Sequence, residues 1–339
     1  MINIVETQKK LVAAALPSGF EQNVGEVLAE LARPFVDEVY TDALGNVICH
    51  KKGEGKRLMM PAHMDTIGVM ATYIEDGGFI RFTGIGGLTP ISMLGVPVRF
   101  ESGVCGCVRM AKQNELLDKP ADSIKLSDLY IDIGAKDKEE AEKLVKIGDV
   151  AVYNSPVVEI AGGNLMTPYA DDLISCVVLL LAMEQLKDKK SKNDLYFVFS
   201  TQEEVGLRGA MTAAYHIDPY MGIAVDVCST GDTPTSTVKM AVKVGAGPTV
   251  KIKDGSLICN PQAVAHLRKA AEEIGVQYQD EILISGGTDS GAMQKARGGV
   301  YAGCISIPTR HIHSPCEIIN LKDVEQAGKL LAQCAMNEL

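Results

Sequence analysis

Residues 58–65 read LMMPAHMD, an apolar run that ends in the pair His63-x-Asp65. A continuous apolar run of this length is typical of a strand whose two faces are both buried. His63 then lies at the carboxyl end of the strand, where ligand sites collect in open α/β sheets. The stretch therefore predicts a parallel sheet with a polar site at one edge.

Carboxylates follow two further apolar runs. Glu203 and Glu204 come soon after LYFVF at 195–199, and Asp226 directly follows IAV at 223–225. Adjacent carboxylates at the mouth of a sheet repel each other unless a cation lies beside them. Because neighbouring residues at a strand end point in different directions, one glutamate can bind a metal while the other acts as a general base.

Two more pairs of polar residues each leave alternatives open. Asp171-Asp172 precede an apolar helical pattern at 173–186. Since Asp is a good N-cap, one of them could cap the helix while the other binds a metal. An extended segment would direct the imidazoles of His311 and His313 to the same side, where both could bind; otherwise one is exposed to solvent.

These imidazoles and carboxylates form the ligand set that holds two divalent cations next to a free carboxylate base. The set predicts a two-metal hydrolase. In such a site Asp65 can accept the second imidazole N–H of His63 and fix its tautomer. The remaining histidines stand apart from the acidic clusters and are predicted to be structural: His50, His216 and His266.

Composition limits the class of protein. The chain has 339 residues, 46% hydrophobic and 22% charged, as is usual for globular proteins. A net charge of −10 argues against nucleic acid or an anionic membrane as partner. The sequence shows no secretory signal and no apolar run near the roughly 20 residues of a membrane span. Nine cysteines lack a paired framework, so a cytoplasmic protein with buried free thiols is expected.

Two kinds of sequence pattern alternate along the chain. Residues 1–68 and 162–339 combine helical periodicity with short apolar strands, which predicts a catalytic α/β domain with a mainly parallel, mixed sheet flanked by helices. Residues 69–161 contain short strands broken by glycine and proline, which predicts a small inserted domain resembling a β-barrel or β-sandwich. Helices are expected at 138–146, 173–186, 263–274 and 321–336, and a strand at 300–307.

Five segments carry a family resemblance: AHMD at 62–65, QEEVGLRGA at 202–210, DV at 226–227, GGTD at 286–289 and PTRHIHSP at 308–315. Together they resemble the M42 family of metallo-aminopeptidases, which includes glutamyl aminopeptidases and tetrahedral TET peptidases. The resemblance runs nearly from end to end. The Glu-Glu and Arg-x-Ile-His-Ser-Pro segments are its most specific parts, whereas His-x-Asp is shared with other co-catalytic zinc peptidases.

The resemblance implies hydrolysis of the N-terminal peptide bond of short peptides, with two divalent cations, zinc or cobalt, in each subunit. A hydroxide shared by the two cations would be the nucleophile, and Glu203 would be the general base. Asp171 would bridge the metals, and Asp65 would orient His63. The implied metal ligands are His63, Asp171, Glu204, Asp226 and His313.

The resemblance also implies that residues 69–161 form an oligomerisation module and that the assembly is a homo-oligomer, a dodecamer built from dimers. Three positions depart from the family pattern. Thr66 stands where the pattern has Glu, and Leu173 stands where it has Arg; His311 replaces a frequent Tyr. Since the proposed ligands and base are all present, we expect metal binding to be kept, with effects on substrate preference and turnover.

Two other functions compete with this interpretation. A glycoside hydrolase, suggested by the cellulase or endoglucanase label that some family members carry, needs only two spaced carboxylates and leaves His63 and His313 without a role. Its activity would survive treatment with a chelator. A non-catalytic or highly specialised metal-binding protein is the second rival, and the departures at Thr66 and Leu173 favour it.

Overall fold

The computed structural model describes residues 1–111, 120, 123–234 and 239–339. Its first part contains two helices followed by three strands. The last of these strands is the apolar run that ends at His63. The bounds are α1 Ile4–Ala14, α2 Gln22–Ala32, β1 Glu38–Thr41, β2 Val47–Lys51 and β3 Arg57–His63.

The next part of the chain closes on itself as a six-stranded barrel, with strand order β4-β5-β8-β7-β6-β9. The strands are β4 Gly68–Ile74, β5 Ile80–Ile85, β6 Pro97–Phe100, β7 Cys105–Met110, β8 Leu129–Asp132 and β9 Val150–Tyr153. Among the described residues of this region, two α-helices accompany the strands, α3 Pro90–Met93 and α4 Lys138–Leu144. The predicted barrel-like region is confirmed, and its longer helix ends two residues before the predicted boundary.

The rest of the chain returns to alternating strands and helices. Its strands are β10 Val158–Ile160, β11 Asn164–Thr167, β12 Asp194–Ser200, β13 Met221–Cys228, β14 Thr249–Lys253, β15 Gln279–Ile282, β16 Tyr301–Pro308 and β17 Glu317–Asn320. Its helices are α5 Ala170–Leu186, α6 Arg208–Ile217, α7 Pro261–Ile274, α8 Asp289–Met293 and α9 Leu321–Met336. The predicted helices in this part are therefore confirmed.

An eight-stranded sheet forms the centre of the molecule, with order β1-β2-β12-β3-β13-β16-β14-β15. Its four central strands run parallel to one another. The neighbours β2 and β14 are antiparallel to β12 and β16. A mainly parallel, mixed sheet flanked by helices was the prediction, and it is confirmed.

Both faces of this sheet are covered. Met60 of β3 packs into the large core cluster with α5, whereas its neighbour Met59 faces a second cluster with α6 and α8. Helix α5 is apolar around most of its circumference and almost wholly buried, as expected for a helix between a sheet and other helices. Helix α9 packs against its outer side.

The cysteines are all free. Six are buried, as expected, but Cys105 and Cys316 are exposed and Cys107 is half-buried, so the expectation of burial was wrong for these three. Within the described residues, no helix is both long enough and apolar enough to cross a membrane.

The central position of β12 leads to a stability prediction. Phe197 is fully buried and lies beside Cys49 of β2 and Met60 of β3. Phe197→Ala should lower the free energy of unfolding by about 3–5 kcal/mol because it removes buried apolar area and leaves a cavity. Chemical denaturation measures this. Met211→Ala on α6, where the side chain is 50% exposed, is the control and should change stability by less than about 0.5 kcal/mol; equal effects of the two variants would contradict the prediction.

Candidate metal centre

The ends of the central parallel strands bring the predicted residues together. His63 is the last residue of β3 and lies opposite Ser200, the last residue of β12. Glu203 and Glu204 follow β12 within four residues, and Asp226 lies near the end of β13. Because these strands are parallel, all of these side chains reach the same edge of the sheet.

Asp171, in the first turn of α5, lies at the centre of this group. Its Oδ1 is 3.0 Å from His63 Nε2, and its Oδ2 is 3.3 Å from His313 Nε2. His313 Nε2 also lies 3.2 Å from Glu204 Oε1. The two oxygens of one carboxylate therefore face two different imidazoles.

The ligand atoms fall into two groups that share this aspartate. One group is His63, Asp171, Asp172 and Asp226, and the other is Asp171, Glu204 and His313; in each group the ligand atoms lie within 4.8 Å of one another. Two such groups with a common carboxylate can hold two cations side by side. All five predicted ligands belong to one group or the other.

The Asp171-Asp172 pair does not cap its helix through a side chain. A cis peptide bond joins the two residues. Asp172 instead accepts the backbone N–H of His63 through Oδ2, at 3.1 Å. Of the two alternatives that the sequence left open, helix capping is therefore not observed for either residue.

The backbone at His311 and His313 is not extended. His311 and His313 both have φ values of 62°, in the left-handed region. His311 is exposed, while His313 turns into the ligand group with Asp171 and Glu204. Of this pair, only His313 belongs to a ligand group, so the exposed His311 is the outcome that the sequence had left open as the alternative to double ligation.

Glu203 lies beside the centre without joining either ligand group. Its Oε2 is 3.8 Å from His63 Nε2. The Asp65 carboxylate holds the Glu203-Glu204 backbone, since Oδ1 accepts the N–H of Glu203 at 3.0 Å and Oδ2 that of Glu204 at 3.2 Å. Glu21 accepts the preceding N–H, from Gln202, at 3.0 Å. Hydrogen bonds therefore fix three consecutive N–H groups of this loop.

Asp65 also faces His63. The Nδ1 atom of the imidazole lies 3.1 Å from the backbone oxygen of Asp65 and 3.5 Å from its Oδ1. The nearer partner is thus the carbonyl rather than the predicted carboxylate, although either contact leaves Nε2 directed at Asp171. Ser18 Oγ donates to Asp65 Oδ2 at 2.7 Å and helps to fix the carboxylate.

Glu317, at the start of β17, was missed from the sequence. It is 1% exposed. Its Oε2 accepts the backbone N–H of Asp171 at 2.9 Å, and its Oε1 accepts that of His313 at 2.7 Å. One buried carboxylate therefore links the helix and the loop that carry two of the candidate ligands. An acidic residue at the head of the apolar run EII, four residues after His313, was the available signal.

The centre carries an excess of buried negative charge. Burial raises the pKa of Glu203, Asp172 and Asp226 well above the usual range, and the neighbouring carboxylates raise it further. Burial would also raise the pKa of Asp171, but hydrogen bonds from His313 and His63 outweigh it and lower the value.

The imidazoles respond in the opposite direction. Burial acts to lower the pKa of His313, but Asp171 and Glu204 raise it to about 11. The pKa of His63 is also raised, against burial, chiefly by Glu203 and then by Asp171. Divalent cations at these positions would replace the protons that the cluster otherwise attracts.

Two buried oxygens support this fit. Asp172 Oδ1 accepts no hydrogen bond from any described residue, and Glu204 Oε1 has only the imidazole of His313 beside it, at 3.2 Å. A buried, unpaired carboxylate oxygen is costly unless it has a charged partner. The nitrogen and oxygen donors available here are those that zinc, cobalt and manganese accept. The residues present therefore fit a divalent metal centre.

The three histidines predicted to be structural lie outside the ligand groups. His50 stacks on Tyr196, with Nε2 2.7 Å from Asp194 Oδ1. His266 Nε2 lies 2.9 Å from the carbonyl oxygen of Cys334. His216 is exposed near the end of α6.

Two of the three positions that depart from the family pattern, Thr66 and Leu173, are used for packing. Thr66 is fully buried, and its hydroxyl donates to the backbone oxygen of Leu16 at 3.2 Å. Leu173 is fully buried in the core. Neither residue places a charge beside the centre.

Comparison with known proteins gives a consistent assignment. The sequence pattern of the family described as M42 glutamyl aminopeptidase matches residues 45–330. A putative aminopeptidase of Acetivibrio thermocellus is 45% identical over 325 residues, 96% of each chain. The lysyl aminopeptidase of Pyrococcus furiosus is 33% identical over 347 residues, 98% of this chain and 97% of its own.

A solved structure shares the fold. The TET1 peptidase of Pyrococcus horikoshii, which can assemble into a tetrahedron or a large octahedral shell, superposes with a TM-score of 0.89 at 32% identity. The match covers 99% of this chain and 100% of the other. All the candidate ligands lie within the segment that the family pattern matches. The chain belongs to the M42 glutamyl aminopeptidase family.

Proposed function

We propose that the chain is a dinuclear-metal aminopeptidase that removes the N-terminal residue from short peptides. The observation that carries this proposal is the position of Asp171, whose two oxygens face different imidazoles in two adjoining ligand groups. Glu203 lies outside both groups but within reach of the same centre. The relatives described above are named as aminopeptidases or as a peptidase, which supports a peptide bond as the target.

The ligand groups divide naturally between two cations. His63 and Asp226 would hold one, Glu204 and His313 would hold the other, and Asp171 would bind both. Asp172 would steady the first site, because its carboxylate accepts the N–H of His63. When bound, the cations would supply Lewis acidity toward the scissile carbonyl and toward water.

Glu203 would move the proton. Burial raises its pKa well above the usual range of a carboxylate, which is the direction that makes a carboxylate a better proton acceptor. Its carboxylate would accept a proton from the attacking water and then donate it to the leaving amine. The contacts of Asp65 and Glu21 with its loop would hold the carboxylate in place for both steps.

The inserted barrel would mediate assembly. We assign residues 69–161 to this oligomerisation domain, and residues 1–68 with 162–339 to the catalytic domain. Apolar side chains are exposed on this part of the chain, namely Tyr73 at 53%, Ile91 at 44% and Ile147 at 60%. Exposed apolar side chains of this size favour a protein interface when they cluster. A TET1 peptidase structure is described as a dodecamer, and the Pyrococcus horikoshii TET1 peptidase can also form a large octahedral shell. Both support a large homo-oligomer, for which we propose a dodecamer built from dimers.

The assignment of Glu203 predicts a selective loss of turnover. Glu203→Gln should lower kcat by about 10²–10⁴-fold, because the amide cannot accept the proton, and should leave the metal content unchanged. Hydrolysis of aminoacyl-p-nitroanilides and elemental analysis measure the two quantities. Glu30→Gln, at an exposed position on α2, is the control. A kcat near that of the unmodified protein would refute the role of Glu203.

The two-cation assignment predicts metal-dependent stability. Adding zinc or cobalt to chelator-treated protein should stabilise it by about 4 kcal/mol for each site at a thousandfold excess over the Kd of that site, since the metal binds the folded state. Thermal unfolding and elemental analysis would follow this, with two ions expected for each chain. His313→Ala should keep only one tightly bound ion, whereas His216→Ala should keep both. Full metal content in His313→Ala would contradict the assignment.

The barrel assignment predicts the size of the particle. Light scattering should give the mass of twelve chains, and Ile147→Glu should give a smaller particle because it places a charge in an apolar contact. Ile147→Val is the matched control and should keep the full size. A monomeric unmodified protein, or an unchanged particle for Ile147→Glu, would count against the barrel as the assembly surface.

A further inference from the structure

A pocket of about 360 Å³ includes the candidate metal centre. The candidate ligands His63, Asp171, Glu204, Asp226 and His313 line it together with Glu203. The rest of its lining consists of residues that have no role in the chemistry proposed above. These are chiefly Val227, Ser229, Lys251, Leu283, Ser285 and Ile312, with the small Gly286 and Gly287 beside them.

Lys251 is the only lysine or arginine among the described residues that line this pocket. It lies on β14, and its side chain is 1% exposed. Its Nζ is 2.6 Å from Glu281 Oε1 and 3.4 Å from Asp254 Oδ2. Both acids are buried, and neither lines the pocket. Lys251 is therefore the one member of this buried ion-pair cluster that lines the pocket, and it links the pocket wall to the two carboxylates.

The two carboxylates are fixed in place by other contacts. Thr249 Oγ1 donates to Glu281 Oε2. Asp254 Oδ1 accepts the N–H and hydroxyl of Ser256 at 2.7 and 2.9 Å, and the N–H of Leu257 at 2.8 Å. Such a buried charged cluster is weak support for stability, because apolar residues of similar volume often serve equally well. Its position at the wall of the pocket points to recognition.

The charges and donors of the cluster define what it can recognise. An ammonium group has three donors and no acceptor. Lys251 Nζ forms ion pairs with two carboxylates, so at most one of its three donors would be needed for a ligand acceptor. The two carboxylates and the one ammonium leave a formal charge of −1. A cationic side chain would meet the ammonium donors, and an anionic one would add to the excess negative charge, so an uncharged acceptor fits best.

We propose that this pocket receives the side chain of the substrate's N-terminal residue and that Lys251 selects uncharged side chains with a hydrogen-bond acceptor, glutamine and asparagine above all. The inference rests on the proposed aminopeptidase function. Val227, Leu283 and Ile312 would contact the aliphatic part of the side chain, and Lys251 would donate to its amide oxygen.

The substrate preference of the metal-loaded protein tests the proposal. The kcat/KM for glutaminyl-p-nitroanilide should exceed that for the leucyl compound by about tenfold, which is the effect of one hydrogen bond. The glutamyl and lysyl compounds should be poorer than the glutaminyl one. The lysyl compound is the sharpest competitor, since a lysyl aminopeptidase is among the relatives. Preference for the lysyl or glutamyl compound would overturn the proposal.

Two variants separate recognition from a structural role. Lys251→Met should abolish the advantage of glutamine over leucine. Glu281→Gln keeps an acceptor for Thr249 but removes one negative charge, so it should raise the ratio of glutamyl to glutaminyl kcat/KM by about tenfold. A purely structural cluster would lower all rates together and leave this ratio unchanged. Lys253→Met on the same strand, where the side chain is half-buried, is the control and should keep the preferences of the unmodified protein.

Calorimetry with free amino acids gives a readout that is independent of turnover. L-glutamine should bind the metal-loaded protein more tightly than L-glutamate, L-leucine or L-lysine, and Lys251→Met should remove that advantage over L-leucine. If L-glutamine binds most tightly but no peptide substrate is hydrolysed, the aminopeptidase function is rejected and the recognition role of Lys251 is kept. Equal affinities, or no binding of L-glutamine, would reject the recognition role itself.

Discussion

The crowding of carboxylates at one edge of the central sheet is the constraint on which the site depends. Asp171, Asp172, Asp226, Glu203 and Glu204 all lie within the same buried region. Burial and mutual repulsion raise the pKa values of Asp172, Glu203, Glu204 and Asp226. Only the pKa of Asp171 is lowered, because two imidazoles donate to its carboxylate. Divalent cations relieve such repulsion more fully than protons can, because each carries two charges to several carboxylates at once.

A second layer of buried acids keeps the crowded groups in position. Asp65 holds the loop of Glu203 and Glu204 through backbone N–H groups, and Glu317 does the same for Asp171 and His313. Each carboxylate is thereby fixed together with the backbone segment that donates to it. The two acids therefore hold the candidate ligands in position without belonging to either ligand group themselves. Preorganisation of this kind is what allows ligands from distant parts of the chain to meet.

The sequence predicted those parts of the site that follow from local pattern. His63, Glu203 and Asp226 were found because each comes at or soon after the end of an apolar strand, and parallel strands end at the same edge. The role of Glu317 and the cluster around Lys251 were not found. Both depend on which strands become neighbours: β17 beside β11 and β15 beside β14. Strand order in a mixed sheet is a non-local property, and the periodicity of one sequence does not encode it.

The left-handed backbone conformation at His311 and His313 was also not predicted, because residues other than glycine rarely adopt it.

The inserted barrel lies next to the candidate metal centre, both through its chain connections and through one of its loops. Strand β4 begins five residues after His63, and the chain returns from the barrel shortly before Asp171. The loop after β5 also approaches the ligands, since a Cβ atom at Gly87 would lie 2.8 Å from His313 Nδ1 and one at Gly86 would lie 3.2 Å from Glu204 Oε2. Only glycine permits contacts this close. Because packed interiors transmit displacement rather than absorb it, a shift of this barrel loop toward the centre would displace Glu204 and His313, the two ligands that complete one of the candidate metal positions.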